Sequence, residues 1–299
     1  MGKDYYVCVD IGGTAIKYAL ADKTGYLVDK KIISTEAKIF GAKGIVDKIK
    51  SIVYGYKKDY KLKGIAISTA GIVDSKNGII IYAFSEVFPE YTGTKLKELL
   101  ESEFGIPCSV ENDVNCAALG EMWLGAGQGK SSLFCITVGT SIGGCGILDK
   151  KIIKGVSCAA GEIANMKVSG GLLHKLASTT RLVQDVASAK NLSEERLTGK
   201  QIFAWAKQGD VISQKAICSL VEHLTDGINN IVSVLNPEVI ILGGGIMVQE
   251  AYLRPLIESA LKERLFDTVY NDTQISFAKL GNDAGLLGAL YNFLNNSYN

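Results

Sequence analysis

Tyr5-Tyr6-Val7-Cys8-Val9-Asp10-Ile11-Gly12-Gly13-Thr14-Ala15-Ile16-Lys17, continuing into Tyr18-Ala19-Leu20-Ala21-Asp22, reads as an apolar strand, a tight turn and a second strand returning beside the first. Two glycines in the turn let backbone N–H groups come close to an anion. Thr14 adds a hydroxyl donor, and Asp10, at the end of the first strand, is placed to hold a hydrated Mg²⁺ beside phosphates. Lys17 could approach the same phosphates or stand in solvent, since strand alternation allows both. No G-x-x-x-x-G-K-S/T run occurs, so the anion would be held by a strand-turn-strand loop rather than at a helix N-terminus.

The device recurs. Leu133-Phe134-Cys135-Ile136-Thr137-Val138 enters Gly139-Thr140-Ser141-Ile142-Gly143-Gly144 and leaves through Cys145-Gly146-Ile147-Leu148-Asp149. Gly13-Thr14-Ala15-Ile16 and Gly139-Thr140-Ser141-Ile142 agree at three of four positions. Either two unrelated hairpins share a glycine turn, or a domain is duplicated with a nucleotide between the halves. A third element, Val239-Ile240-Ile241-Leu242 before Gly243-Gly244-Gly245-Ile246, would let a flat ring lie on bare backbone, as at the adenosine end of a nucleotide.

With 299 residues, the chain has room for two domains with two cores. Net charge is +1, from 32 basic and 31 acidic residues with no long basic stripe, which speaks against bulk nucleic-acid binding. No apolar stretch approaches the roughly 18 residues of a membrane span, and no signal peptide is visible, so a cytoplasmic protein is expected. The seven cysteines include no C-x-x-C pair, and only His174 and His223 accompany them. Buried free thiols are expected, without a zinc site.

Residues 5–10, 15–22 and 26–33 read as strands and 42–55 as a helix; strand 63–68 opens into Thr69-Ala70-Gly71. Helix 94–104 ends at Gly105, strand 108–111 runs into Asn112-Asp113, and 114–125 is helical. The second half repeats the order, with strands near 132–138, 144–149 and 151–153, helices 172–190, 198–207 and 211–235, strand 238–242, helix 249–265, strand 274–278 and helix 284–294. Strand triplets followed by helices give an α/β protein with mixed sheets, and the cleft between the halves is the default ligand site.

Asp113 is either a helix cap or a general base that takes a hydroxyl proton during phosphate transfer. Asn112 beside it would suit a polyol. In the small-residue loop Gly155–Met166, Glu162 is either a surface carboxylate or a grip on a vicinal diol. His174, beside Leu172, Leu173 and Leu176, is either a packed, hydrogen-bonded imidazole or a ligand contact. Phe84, Phe88 and Tyr91 could form an aromatic rim for a sugar or pack on one another.

In this order, the segments DIGGTAIK, STAGIVD, ENDVNCAALGE, ITVGTSIGG, AAGEIANM, LASTTRLV, LNPEVIILGGGI and NDAGLLGAL resemble the ROK family of sugar kinases and repressors, within the actin-like ATPase group. The resemblance implies two actin-like (ribonuclease H-like) domains, here 1–113 plus 284–299 and 114–283. It implies ATP and Mg²⁺ between them, with transfer to a hexose 6-hydroxyl. Asp113 becomes the base, Asn112 and Gly71 approach the sugar, and Glu162 matches the glutamate of the family's E-x-G-H motif. Nucleotide contacts fall on Asp10, Gly12, Gly13, Thr14, Lys17, Gly139, Thr140, Gly243, Gly244 and Gly245.

The departures carry information. Asn165 stands where the family's motif has histidine, and His174 where a glutamate is usual; the family's zinc-binding cysteine cluster is absent. Both changes fall at the sugar's anomeric end. The expected activity is therefore phosphorylation of a β-glucoside such as cellobiose, with free glucose and N-acetylmannosamine as alternatives and a non-catalytic sugar sensor behind them. Only four residues precede the first strand, which speaks against a repressor with an N-terminal DNA-binding domain. Monomer and homodimer remain open.

Overall fold

A computed structural model describes residues 3–296; the remaining terminal residues of the expected first domain lie outside the described residues. The chain divides into two units, one drawn from Met1–Gly125, Gly155–Ala159 and Asn282–Asn299, the other from Ala126–Lys154 and Ala160–Gly281.

The first unit begins with β1 (Tyr5–Ile11), β2 (Ala15–Asp22) and β3 (Leu27–Ser34), followed by helix α1 (Ala37–Lys57) and β4 (Leu62–Thr69). A small hairpin, β5 (Ile72–Asp74) and β6 (Ile79–Tyr82), comes next, then α2 (Leu96–Phe104), β7 (Cys108–Asn112) and α3 (Asp113–Leu124). The main sheet is ordered β3-β2-β1-β4-β7. β1 pairs antiparallel with β2 and parallel with β4, and β4 pairs parallel with β7. Side-chain alternation gives the sheet two unlike faces. Val7, Val9, Ile11, Ile65 and Ile67 join Ile45, Ile49 and Val53 of α1 in one apolar cluster. On the other face the small residues Cys8 and Ala66 meet Leu286, Ala289, Leu290 and Phe293 of the closing helix.

The second unit carries β8 (Leu133–Val138), β9 (Ile142–Leu148) and β10 (Lys151–Ile152), a short hairpin β11 (Lys167–Val168) and β12 (Gly171–Leu172), and α4 (Leu173–Ala177) through α5 (Thr179–Lys190). Helices α6 (Gly199–Lys207) and α7 (Val211–Leu235) lead to β13 (Val239–Gly243), then α8 (Glu250–Arg264), α9 (Asp267–Asp272) and β14 (Gln274–Phe277). Its sheet is ordered β10-β9-β8-β13-β14. The directions again run antiparallel through the first three strands and parallel through the last two. Two sheets of one order and one set of directions are the structural form of the repeated strand-turn-strand seen in the sequence. The closing helix, α10 (Ala284–Asn296), returns to the first unit.

Several expectations are corrected. Helix α3 belongs to the first unit, so the boundary expected at 113 moves to about the end of α3. The reason is steric: α3 lies so close to α10 that a Cβ on Gly120 would sit 2.5 Å from the Ala284 carbonyl oxygen, and one on Gly288 would overlap the Cys116 carbonyl. The single helix expected over 172–190 is two helices. Ser178 breaks it with extended backbone (ψ 162°), and its hydroxyl caps α5 by accepting from Arg181 N–H. The β5–β6 hairpin adds two strands that the sequence pattern does not show.

Adding a methyl at Gly120 should therefore overpack the α3–α10 contact and lower stability by about 1–3 kcal/mol. Gly55, exposed in α1 with nothing within 4 Å of a new Cβ, makes the contrast: Gly55→Ala should stabilise by about 0.5–1 kcal/mol. Urea denaturation of the two variants checks both signs.

Candidate active site

In the first unit, the parallel strands β1, β4 and β7 end together. Register pairs Asp10 with Ser68 and Ser68 with Glu111 on one face, and Ile11 with Thr69 and Thr69 with Asn112 on the other. The carboxylate of Asp10 accepts from Ser68 Oγ at 2.7 Å and from Lys17 Nζ at 3.4 Å. A further side lies against backbone, since a Cβ on Gly285 would stand 2.8 Å from Asp10 Cγ and Oδ1, and the carboxylate stays partly accessible. Lys17 is thus paired with Asp10 rather than loose in solvent.

The turn after β1 is closed by Gly12 N–H donating to the Ala15 carbonyl and by Thr35 Oγ1 donating to the Gly12 carbonyl at 2.6 Å. Neither Gly12 nor Gly13 has positive φ. At Gly13 the need is space, because a Cβ would stand 2.9 Å from the Val87 side chain. Gly13 and Thr14 are exposed, with the turn backbone at the surface.

Asn112, and not Asp113, is the helix cap. With extended backbone (ψ 148°), it accepts through its side chain from Val114 N–H at 2.8 Å and Asn115 N–H at 3.0 Å. The Nδ2 group then donates to the Gly71 carbonyl at 2.9 Å and to Asp113 Oδ1 at 2.9 Å. Asp113, the first residue of α3, also accepts from Val114 N–H at 2.9 Å. Negative charge in a helix's first turn is electrostatically favourable. Beneath them Glu111, buried, accepts from Asn112 N–H and Asn115 Nδ2, both at 2.9 Å. Gly71 holds φ 106°, where a Cβ would strike the Tyr82 carbonyl at 2.5 Å, so only glycine joins the STAG turn to the β5–β6 hairpin here.

The expected aromatic rim is redrawn. Phe88 and Tyr91 are buried, stacked with centroids 5.5 Å apart, and Tyr91 Oη hydrogen-bonds Thr69 Oγ1 at 3.0 Å. They are core, as a loop packed on its own aromatics would be. Phe84 alone of the three is exposed, at 68 %, and it meets Tyr82 edge-on at 5.4 Å.

In the second unit Gly139 and Thr140 line a cavity of about 540 Å³ with Thr179, Thr180, Val183, Glu194, Glu195, Gly199, Lys200, Gly245 and Ile246. That volume falls within the range for small-molecule sites. Thr179 N–H donates to the Gly139 carbonyl and Thr180 Oγ1 to the Thr140 carbonyl, both at 2.9 Å, so the N-terminus of α5 is tied to the β8–β9 turn. The three glycines after β13 divide their work. Gly245 lines the cavity. Gly244, at φ 104°, lies against the Val138 backbone, and Gly243 is buried at the strand end.

The second unit also carries the Glu162 turn. Gly161, at φ 94°, and Gly144 of β9 meet backbone to backbone, so neither has room for a side chain. Glu162 and Asn165 are exposed on either side of buried Ile163. Although much of Glu162 is solvent-accessible, partial desolvation of its carboxyl raises its pKa above the ordinary value. His174 Nδ1 lies 2.7 Å from the Ala164 carbonyl oxygen.

Five of the seven cysteines are buried, Cys158 is half-buried and Cys218 exposed; none forms a disulfide. Burial pushes the Cys8 thiol up to about 12. Among the described residues no group of three or more His, Cys, Asp or Glu side chains is arranged to hold a metal, and no helix is long and apolar enough to cross a membrane. Sequence reasoning missed Ser68, Glu111 and Gly285 around the carboxylates, and Thr179, Thr180, Glu194, Glu195 and Lys200 around the cavity. Glu111 had one legible signal, its spacing of four from Asn115 across a strand-to-helix junction. The cavity residues had none, because α5 and the 194–200 segment are joined to the turn only by tertiary structure.

Removing the cap tests the first-unit geometry. Asn112→Ala should cost about 1–2 kcal/mol. Asn112→Ser, which keeps an acceptor but loses the Nδ2 tether, should recover part of this in thermal denaturation.

The comparisons extend across the whole chain. Residues 6–295 match the ROK family. A β-glucoside kinase of Listeria monocytogenes is 33% identical over 295 residues, covering 95% of this chain and 96% of its own. A glucokinase of Halalkalibacterium halodurans is 32% identical over 314 residues, covering 96% and 94%. Among solved structures, the ROK family glucokinase from Streptomyces griseus in complex with glucose and AMPPNP superposes with TM-score 0.79 at 29% identity, over 96% of this chain and 98% of that one. With its two like sheets and its strand-end carboxylates, the chain belongs to the ROK family and has that family's actin-like fold.

Proposed function

We propose that the protein is an ATP-dependent kinase acting on the 6-hydroxyl of a sugar. The observation that carries this is Asp113, at the first turn of α3 with Oδ1 held by Asn112 Nδ2, whose other N–H is on Gly71. In the proposed reaction the sugar oxygen attacks the γ-phosphorus, its proton passes to the Asp113 carboxylate, and ADP leaves. Asn112 and the Gly71 turn hold that carboxylate in place. Their tether to α3 keeps the base from swinging away, which is the positional contribution a kinase most needs.

Asp10 offers one carboxylate braced by Ser68 and Lys17, which fits a Mg²⁺ that keeps most of its waters and binds the nucleotide phosphates. When bound, the ion neutralises phosphate charge. The Gly12–Thr14 turn and Lys17 supply further donors. The second-unit cavity, lined by Gly139, Thr140 and Gly245, suits the adenosine portion of ATP. The likeness to a glucokinase structure with AMPPNP supports this reading.

For the acceptor we favour a β-glucoside such as cellobiose, phosphorylated on its non-reducing glucose, with glucose and N-acetylmannosamine as the alternatives. Asn165 and His174 replace the family's usual groups at the anomeric end. The exposed Tyr82–Phe84 pair, joined to the acceptor side through Gly71, offers a surface on which a second ring could stack. The similarity to a β-glucoside kinase supports the same choice.

Two measurements test this. Asp113→Asn should slow turnover about 10²–10⁴-fold while calorimetry shows sugar binding little changed; near wild-type kcat would remove Asp113 from the base role. A coupled ADP assay should give higher kcat/KM for cellobiose and a methyl β-glucoside than for glucose or N-acetylmannosamine. A free monosaccharide preferred by about tenfold, or 1.4 kcal/mol, would overturn the glucoside choice.

A further inference from the structure

The turn carrying Glu162 and Asn165 is a single 3-10 turn, Ile163–Asn165, anchored in the core by Ile163 and with few hydrogen bonds leaving it. Its internal bonds are local: Ile163 N–H donates to the Gly161 carbonyl at 2.7 Å and Met166 N–H to the Ile163 carbonyl at 2.9 Å. One backbone bond leaves it, from Leu173 N–H to the Met166 carbonyl at 2.9 Å. The side-chain tie is His174 to Ala164, whose carbonyl sits between the two exposed polar residues. A carbonyl only accepts, so Nδ1 carries the proton, and in the neutral ring Nε2 presents a lone pair.

The two ends of that bond differ in rigidity. His174 stands on α4, where Leu173 and Ala177 are fully buried. Leu173 presses so closely on α7 that a Cβ on Gly227 would meet its Cδ2 at 2.9 Å. Ala164 stands on a turn whose neighbours Glu162 and Asn165 face solvent. The bond therefore transfers the rigidity of the α4–α7 packing to the turn.

We propose that His174 is a positioning residue, a strut that fixes the Glu162–Asn165 turn through Nδ1–H and the Ala164 carbonyl, and that sugar affinity depends on it. The proposal rests on the reading of Glu162 and Asn165 as acceptor ligands. Its energetic logic is preorganisation: a turn already held in place need not be ordered when the sugar binds. The donor persists in both protonation states of the ring, since imidazolium also carries the Nδ1 proton.

Asparagine and glutamine separate the strut from a direct contact. The side-chain nitrogen of asparagine can stand near Nδ1, and that of glutamine near Nε2. Steady-state kinetics on wild type, His174→Ala, His174→Asn and His174→Gln should be paired with hydrogen–deuterium exchange over 160–173. Loss of the strut should raise the sugar KM about tenfold in His174→Ala and His174→Gln, leave the ATP KM in place, and be largely recovered in His174→Asn. Exchange at the Met166 and Leu173 amides should quicken in the first two variants and stay near wild type in the third.

Rescue by glutamine instead of asparagine would assign the ring to ligand contact through Nε2 and overturn the strut. Unchanged exchange in His174→Ala would overturn it too, as would faster exchange with an unmoved sugar KM. Should the alanine variant not fold, the asparagine–glutamine pair decides alone. A wild-type protein that phosphorylates no sugar would sink the kinase reading and the sugar-affinity part of this proposal; the exchange data would still decide the strut.

Discussion

Where α10 meets α3 the contact is backbone to backbone, and the strand-end carboxylates of the first unit depend on it. Gly120 and Gly288 let α3 and α10 approach until carbonyl groups of each face the other's glycines, and Gly285 brings the same helix against the carboxylate of Asp10. Three glycines in one contact remove side-chain volume where none can be accommodated. Were α10 to stand even a methyl's width away, Asp10 would lose the wall behind it and α3 would shift with its first residue, Asp113. The chain's last helix thus sets the position of two carboxylates that lie near its beginning and its first third.

Within that frame the sheet sorts its polar groups by alternation. Asp10, Ser68 and Glu111 fall on the α10 face, and Thr69 and Asn112 on the other. Sequence neighbours Glu111 and Asn112 therefore have different duties. Glu111 is buried and accepts from the start of α3, whereas Asn112 caps the helix and reaches to Gly71. The second unit repeats the strand order but not the use: its β8–β9 turn is tied to α5 and lines a cavity, with no carboxylate at the position corresponding to Asp10. One strand order thus carries two turns with different surroundings.

The sheets were legible in the sequence because each rests on local signals, an apolar run of strand length closed by a glycine turn. What escaped was set by tertiary packing. Phe88 and Tyr91 read as aromatics in a loop, and nothing local distinguishes them from exposed Phe84; Thr69 beneath them, the partner of the Tyr91 hydroxyl, decides it. The 172–190 segment has helical periodicity across Ser178, and only the cap made by its hydroxyl shows that two helices meet there. Asp113 looked as good a cap as Asn112, since both residue types serve; extended backbone at Asn112 settles the matter. The glycines of the closing segment marked the family without revealing that their reason is the approach of two helices.

These constraints distribute freedom unevenly. Asp10 and Asp113 are held by backbone contacts, by a cap and by buried Glu111, each of which fails if a single atom is added or a single acceptor is lost. The Glu162–Asn165 turn is held by a glycine pair, the buried Ile163, one backbone bond from Leu173 and one imidazole, and its two polar residues are exposed. A substitution in the first group disturbs the packing of its unit; one at Glu162 or Asn165 changes an exposed polar group while leaving the sheet intact. The strand-end carboxylates are thereby tied to the rigid glycine-packed unit, and the exposed Glu162 and Asn165 to a turn that can change without unsettling it.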